Sequence, residues 1–255
     1  MTAMLTLWER DIVRFFRDKP RVIGGLVPPI VFWLLIGAGL GTAVRVPGAP
    51  MGLSFLQYFY AGTLVLIVLF TSIFATISII EDRREGFLQA VLVAPVSRMS
   101  IVLGKVLGSA TVGLAQGLAF LLLAGPAGLH PGLHGYALAV AVLTLASIGL
   151  TGLGFCIAWV LDSSQGFHAV MNLFLIPMWM LSGALFPSAT APRFLQVLIT
   201  VNPVSYAVTG LQHALLPAVV AQGAASANAC LIILALFAAA MLAACVFVVS
   251  RRDAR

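Results

Sequence analysis

The sequence predicts an all-α polytopic membrane protein. It is expected to have six transmembrane helices, an N-terminal interfacial amphipathic helix, a short helix at the cytoplasmic surface and short re-entrant helices at the outer leaflet. Three observations predict it. Of 255 residues, 61% are hydrophobic and only 9% charged, whereas a soluble domain carries about 25% charged residues. The mean hydropathy is +1.09, and the apolar runs reach the roughly 20 residues that a helix needs to cross a hydrocarbon core about 30 Å thick. The charged residues gather in the gaps between those runs. So little polar sequence remains that residues 1–255 are expected to form a single membrane bundle with no soluble domain.

Residues 1–21 form the interfacial helix. Trp8, Ile12, Phe15 and Phe16 recur at helical spacing, while Glu9, Arg10, Arg14, Arg17 and Lys19 take other faces, with the basic side expected toward lipid headgroups. Pro20 and Arg21 end this helix. No cleavable leader is expected, because the first apolar run begins only after this charged stretch and exceeds the length of a leader's core. The first span covers residues 22–44, kinked at Pro28 and Pro29, with Gly37, Gly39 and Gly41 admitting a neighbouring helix. The second covers residues 55–80, with Tyr58 and Tyr60 expected as belt aromatics at its outer interface.

Residues 81–105, EDRREGFLQAVLVAPVSRMSIVLGK, are the one internal stretch dense in charge. As a helix, the stretch places Phe87, Leu88, Val91 and Leu92 on one face, with Gln89 and the charges mostly off it. Pro95 then stops the helix. Residues 81–100 are thus a short amphipathic segment where membrane meets water. The third span covers residues 101–124, with Gly104, Gly108, Gly113 and Gly117 as packing positions. The fourth and fifth cover residues 136–161 and 165–186, joined by a polar turn at Asp162, Ser163 and Ser164, and Asn172 lies within the fifth. Residues 191–217 are apolar but broken at Asn202-Pro203, which predicts two short re-entrant helices in the outer leaflet. The last span covers residues 228–249.

Topology follows from the bases. With both termini inside, Arg10, Arg14, Arg17, Lys19, Arg21, Arg83, Arg84, Arg98, Lys105, Arg251, Arg252 and Arg255 are cytoplasmic, and only Arg45 and Arg193 face out. That twelve-to-two bias obeys the positive-inside rule, and a seventh span through residues 191–217 would spoil it. The formal net charge of +6 then reflects topology and anionic lipid rather than nucleic acid. Cys156, Cys230 and Cys245 lie in apolar runs as packing residues, and Pro131-Gly132 between His130 and His134 argues against a metal pair. Gly104-Lys105 lacks the flanking residues of a phosphate-binding loop, no catalytic cluster sits at membrane depth, and, with Lys105 assigned to the cytoplasmic side, no ion-coupling charge is expected at membrane depth. The chain is therefore not expected to be an enzyme or to hold a cofactor.

The acidic-basic start, Glu85-Gly86, the apolar-faced turn and Ala94-Pro95 resemble the coupling segment of ABC type-2 exporter permeases. The opening with its paired arginines and Pro-rich first span resembles the start of that family. Leu185-Phe186-Pro187, Pro192 and Asn202-Pro203-Val204-Ser205-Tyr206 resemble its second signature, although Gln212 stands where many members carry Arg. Drug-resistance permeases and nodulation-type lipo-oligosaccharide exporters are the most similar branches.

The resemblance implies that Glu81, Asp82, Arg83, Arg84, Glu85, Gly86, Phe87, Leu88 and Pro95 meet an ATP-binding subunit. Pro187, Pro192, Asn202, Pro203 and Tyr206 would build the outer re-entrant elements. It implies two permease copies in a bacterial plasma (inner) membrane, with membrane lipid around them. Two ATP-binding subunits would carry ATP and Mg, and an amphipathic, drug-like or lipid-linked cargo would move outward. The alternatives are an ion-driven secondary transporter or channel subunit and, further off, an intramembrane lipid transferase.

Overall fold

In a computed structural model, residues 2–40, 53–186, 191–220 and 223–252 are described. They form α1 (Thr2–Arg17), α2 (Lys19–Leu40), α3 (Phe55–Ala75), α4 (Ile77–Arg84), α5 (Phe87–Val93), α6 (Arg98–Leu121), α7 (Leu133–Val160), α8 (Ser164–Met180), α9 (Arg193–Val201), α10 (Pro203–Leu215) and α11 (Ala227–Arg252). Among these residues there is no strand, as the sequence predicts. Residues 41–44 of the first predicted span, Arg45, Pro187 and Arg255 lie outside the described residues.

Among the described residues, five stretches are long and apolar enough to cross a membrane: Lys19–Gly37, Phe55–Arg84, Arg98–Ala124, Leu133–Val160 and Ala227–Arg251. α8 has 17 residues, a rise of about 25 Å, and an irregular turn through residue 186 carries the chain onward. α9 and α10 meet at 87° across Asn202, where the sequence predicts the break.

Two boundaries near the charged end differ from expectation. The N-terminal helix stops at Arg17, and Pro20 opens the next helix instead of ending the first. The Asp18 carboxylate accepts from the Arg21 amide at 3.3 Å and caps α2, whose first turn tolerates a proline because the missing N–H has no partner there anyway. The second span runs past residue 80, since α4 continues α3 to Arg84 after a turn at Thr76, whose hydroxyl donates to the Ile73 carbonyl at 2.6 Å. Pro28 and Pro29 sit inside an α2 that continues beyond both.

α3 is the axle of the bundle, and Phe59, Tyr60, Leu64, Ile67 and Leu69 are wholly buried on it. Tyr58 and Tyr60 are core residues, not belt aromatics. Their hydroxyls donate to Gly183 O at 3.0 Å and Phe120 O at 2.6 Å, which makes burial of a phenol tolerable. The α6 glycines serve two neighbours. A Cβ on Gly104 would stand 2.9 Å from Met4 O and from Leu7 Cβ of α1, and one on Gly113 would strike Ser72 of α3. α2 and α11 flank the bundle and stay largely exposed.

One end of the bundle gathers the charges. Arg83 Nη1 donates to Asp162 Oδ1 at 2.7 Å, and Arg98 Nη1 to Val249 O at 3.3 Å. These contacts bring the 81–105 stretch, the α7–α8 turn and the last turn of α11 to the same level. The opposite end is closed by Asn202. Its Nδ2 donates to Met178 O at 2.6 Å and Leu181 O at 3.2 Å, while its Oδ1 accepts from the Val204 amide at 3.0 Å. One amide thus serves the last carbonyls of α8 and the first turn of α10. Pro203 occupies the first position of α10, Pro192 leads into α9, and the Tyr206 hydroxyl donates to Thr200 O at 2.8 Å across the elbow. Asn202→Ala strands these buried groups, so it should lower stability by about 1–3 kcal/mol. Asn202→Asp keeps the cap oxygen and should recover part of the loss. Thermal unfolding of the detergent-purified variants measures both, and an alanine variant as stable as the parent contradicts this account.

Candidate functional site

Lys105 lies in the second turn of α6 and is 2% exposed, between Val102 and Val106, both at 0%. An ammonium in such surroundings requires carboxylates, because the desolvation cost of an unpaired buried charge is several kcal/mol. Two are present. Its Nζ donates to Asp11 Oδ1 of α1 at 2.9 Å and to Asp82 Oδ2 of α4. Asp82 is wholly buried and also accepts both arms of the Arg10 guanidinium, at 2.6 and 2.9 Å, and Arg14 Nη1 at 2.8 Å. Such paired, charge-assisted contacts are the strong class of hydrogen bond. Arg14 reaches on to Glu81 at 3.2 Å and Glu85 at 3.3 Å, and Arg21 stands 3.7 Å from Glu81. The cluster balances four bases (Arg10, Arg14, Arg21, Lys105) against four acids (Asp11, Glu81, Asp82, Glu85). Burial pushes the Asp11 carboxyl above the ordinary Asp range against the opposing pull of Lys105, and its Oδ2 has no hydrogen-bond partner.

The surface helix hangs from this cluster. α4 ends at Arg84, and Gly86 turns the chain at φ +78, where any other L-residue is strained. Nothing lies within 4 Å of its missing Cβ, so the requirement is one of backbone conformation and not of space. α5 then presents Leu88 inward at 3% exposure, with Phe87, Val91 and Leu92 half-buried, as the spacing predicts. Arg10 lies over the Phe87 ring, 3.7 Å from its centroid, so one guanidinium both holds Asp82 and covers the first residue of α5. Gln89 Nε2 donates back to Arg83 O at 3.0 Å. Ala90, Val93 and Pro95 are exposed, Val93 at 86%.

The residues expected at a partner surface therefore divide. Glu85, Gly86 and Arg84 are exposed beside α5, and Glu81 and Phe87 are half-buried. Asp82 and Leu88 face the interior and have no surface to offer. Arg83 is bound to the α7–α8 turn, donating to Trp159 O at 2.7 Å and Leu161 O at 3.2 Å, and Arg84 donates to Asp162 O at 3.0 Å. The basic face of α1 also differs from expectation. Arg10 and Arg14 turn into the protein because the Asp82 carboxylate is there, whereas Arg17 and Lys19 stay exposed.

Lys105 and Asp11 join the candidate residues here, although from the sequence Lys105 bears only on topology and Asp11 has no assigned role. Their signal was available. Lys105 interrupts an apolar run one position after a packing glycine, and Asp11 lies four residues from both Leu7 and Phe15 on the buried stripe of α1.

Comparison with known proteins is consistent across most of the chain. Residues 2–216 match the family model described as "ABC-2 type transporter". The chain is 27% identical over 212 residues to a putative transport permease, ycf38, of Cyanophora paradoxa, covering 80% of this chain and 71% of that one. It is 25% identical over 232 residues to nodulation protein J of Rhizobium leguminosarum bv. viciae, covering 89% and 85%. It is 26% identical over 228 residues to the inner membrane transport permease YadH of Escherichia coli, covering 84% and 83%.

The ion cluster makes a quantitative prediction. Asp82→Asn leaves three cations facing a neutral amide and should cost about 3–5 kcal/mol, the range for breaking a buried pair. Combining it with Lys105→Met removes the stranded ammonium, so the double variant should be less damaged than the two single losses summed. A double-mutant cycle by thermal or denaturant unfolding in detergent measures this, and strict additivity would remove the pairing from the energetics.

Proposed function

We propose, from the fact that the chain belongs to the ABC-2 type transporter family, that it is the permease subunit of an ATP-driven exporter. Membership makes it a multi-pass transport permease of an ABC transporter, working with an ATP-binding subunit. The finer reading is that its cargo is amphipathic, drug-like or lipid-linked and moves outward across a bacterial inner membrane. The charged end, with both termini, would face the cytoplasm by the positive-inside rule.

The observation that carries this reading is a seven-residue surface helix, α5, tied through Phe87 and Arg10 to a buried ion cluster shared by α1, α4 and α6. A push on α5 from an ATP-binding subunit is delivered to Arg10 and Asp82. From there it reaches α1 and α6 together, because Lys105 joins both carboxylates. ATP and Mg belong to that partner.

Pairing of two copies is supported by α8. It exposes Leu173, Phe174 and Ile176 next to the exposed Asn172 amide, which has no hydrogen-bond partner among the described residues. An amide lacks partners in lipid, so this face suits a second copy or a wet pathway between copies. Two permeases would then carry two ATP-binding subunits. The ion-driven alternative gains one observation, since Lys105 and Asp82 are ionisable and buried in stretches long enough to span. The paired, charge-balanced cluster at the end of the bundle favours a structural coupling role over an ion path.

Two experiments test the reading. Glu85→Lys reverses a charge that is 58% exposed beside α5, and Gly86→Val forces a β-branched residue into positive φ. Both variants should insert and dimerise normally yet lose export, with the ATPase either missing from the complex or hydrolysing without transport. Export and ATPase co-purification at matched expression decide this, and normal transport in both variants refutes the coupling role. For topology, a cysteine at Ala90 in sealed cells should resist an impermeant reagent and one at Tyr206 should react. The reverse pattern overturns the orientation.

A further inference from the structure

A cleft of about 450 Å³ opens at the charged end, between the start of α2, the last turns of α3 and the start of α8. Its volume falls within the range of small-molecule sites, roughly 300–1,000 Å³. Phe70, Phe74 and Ile77 give it an apolar wall. The wall on α2 is bare at Gly24, where nothing stands within 4 Å of an added Cβ. Gly25 differs, since a Cβ there would strike the Gln116 side chain at 2.5 Å, so Gly25 serves packing and Gly24 serves the opening. Toward the other end, α2 and α8 are joined by Phe32 against Trp179, with ring centroids 6.0 Å apart. The cleft is therefore a slot with an apolar wall, open at the level of the charges.

The rim carries both signs. Arg21 and His168 stand on it with Asp18 and Glu81. The His168 ring is stacked on Phe74 at 4.8 Å, which holds it at the mouth. Arg21 donates to Phe74 O at 3.2 Å and lies 3.7 Å from Glu81, a separation that leaves this pair loosely engaged. A purely anionic headgroup would meet Asp18 and Glu81, and a purely cationic one would meet Arg21. A zwitterion satisfies both, with phosphate on Arg21 and His168 and ammonium on Asp18 and Glu81. A primary ammonium offers three hydrogen-bond donors, whereas a trimethylated one offers none.

We propose that this cleft binds one bilayer glycerophospholipid with a primary-amine zwitterionic headgroup, of the phosphatidylethanolamine type, one of its two acyl chains lying along Phe70 and Phe74. The lipid is a resident of the fold and is independent of the cargo. It fills the gap between α2 and α8 and touches the Arg21–Glu81 edge of the ion cluster.

The test uses the full chain in nanodiscs holding equal amounts of phosphatidylethanolamine, phosphatidylcholine and phosphatidylglycerol, with the lipid retained on the protein counted by native mass spectrometry. The parent should retain one phosphatidylethanolamine per chain, at least tenfold over either other lipid. Gly24→Leu fills the open wall and should reduce that retention at least tenfold without loss of thermal stability. Asp18→Asn keeps an oxygen to cap α2 but removes the charge, and should bring phosphatidylethanolamine and phosphatidylcholine toward parity. Equal retention of the three lipids by the parent, preference for phosphatidylglycerol, or absence of any retained lipid overturns the proposal. Undiminished retention by a folded Gly24→Leu overturns it too. If Gly24→Leu fails to fold, unchanged selectivity in Asp18→Asn is sufficient to reject it.

Discussion

The Asp82 carboxylate, sealed from water and shared by Arg10, Arg14 and Lys105, is the constraint on which the charged end depends. Taking an ion out of water costs several kcal/mol, and only close, well-directed partners offset it. Here the partners come from α1 and α6 while the carboxylate comes from α4. No two of these elements can reach low energy without the third. Gly104 and Gly108 let α1 approach α6 closely enough for Asp11 to meet Lys105, so two residues without side chains are as necessary to the pairing as the ions. The same constraint explains why α5 is held in place although it is short and half exposed.

The far end is joined by a different chemistry. Trp33 donates to Leu56 O at 2.9 Å, Trp179 to Gly62 O at 2.8 Å, Tyr58 and Tyr60 to carbonyls, and Asn202 to the end of α8. These are neutral donors on backbone acceptors, largely insensitive to salt and to proton concentration. Neutral pairs thus join one end of the bundle and a network of ion pairs joins the other. Rearranging ion pairs among several partners exchanges one contact for another, whereas opening a neutral buried pair leaves both groups without water.

The fold class and the order of elements were legible in the sequence because hydropathy and proline placement are local signals. The break at Asn202-Pro203 and the inward face of α5 follow from a missing amide hydrogen and from helical spacing. What escaped was long-range. Arg10 reads as a headgroup-facing base until Asp82 is brought beside it, and Tyr58 and Tyr60 read as belt residues until Gly183 O and Phe120 O are found against their hydroxyls. Pro20 reads as a stop, yet a proline in a helix's first turn marks a beginning as readily, and Asp18 caps that beginning. Lys105 reads as a charge on one side of a membrane, and its neighbours in the chain do not show that Asp11 and Asp82 are the carboxylates it meets.

The sequence separations within the cluster set an order of biogenesis. Arg10 precedes Asp82 by 72 residues, and Asp11 precedes Lys105 by 94. At roughly 5–20 residues per second, the ribosome needs on the order of 5–20 s to supply the last of these partners after α1 has emerged. Throughout that interval the N-terminal helix has its arginines without Asp82 and its aspartate without Lys105. It can wait only at the headgroup layer, where water and lipid phosphates solvate it. The helix made first is thus among the last to dock, and its arrival marks the moment when the second and third spans are both in place.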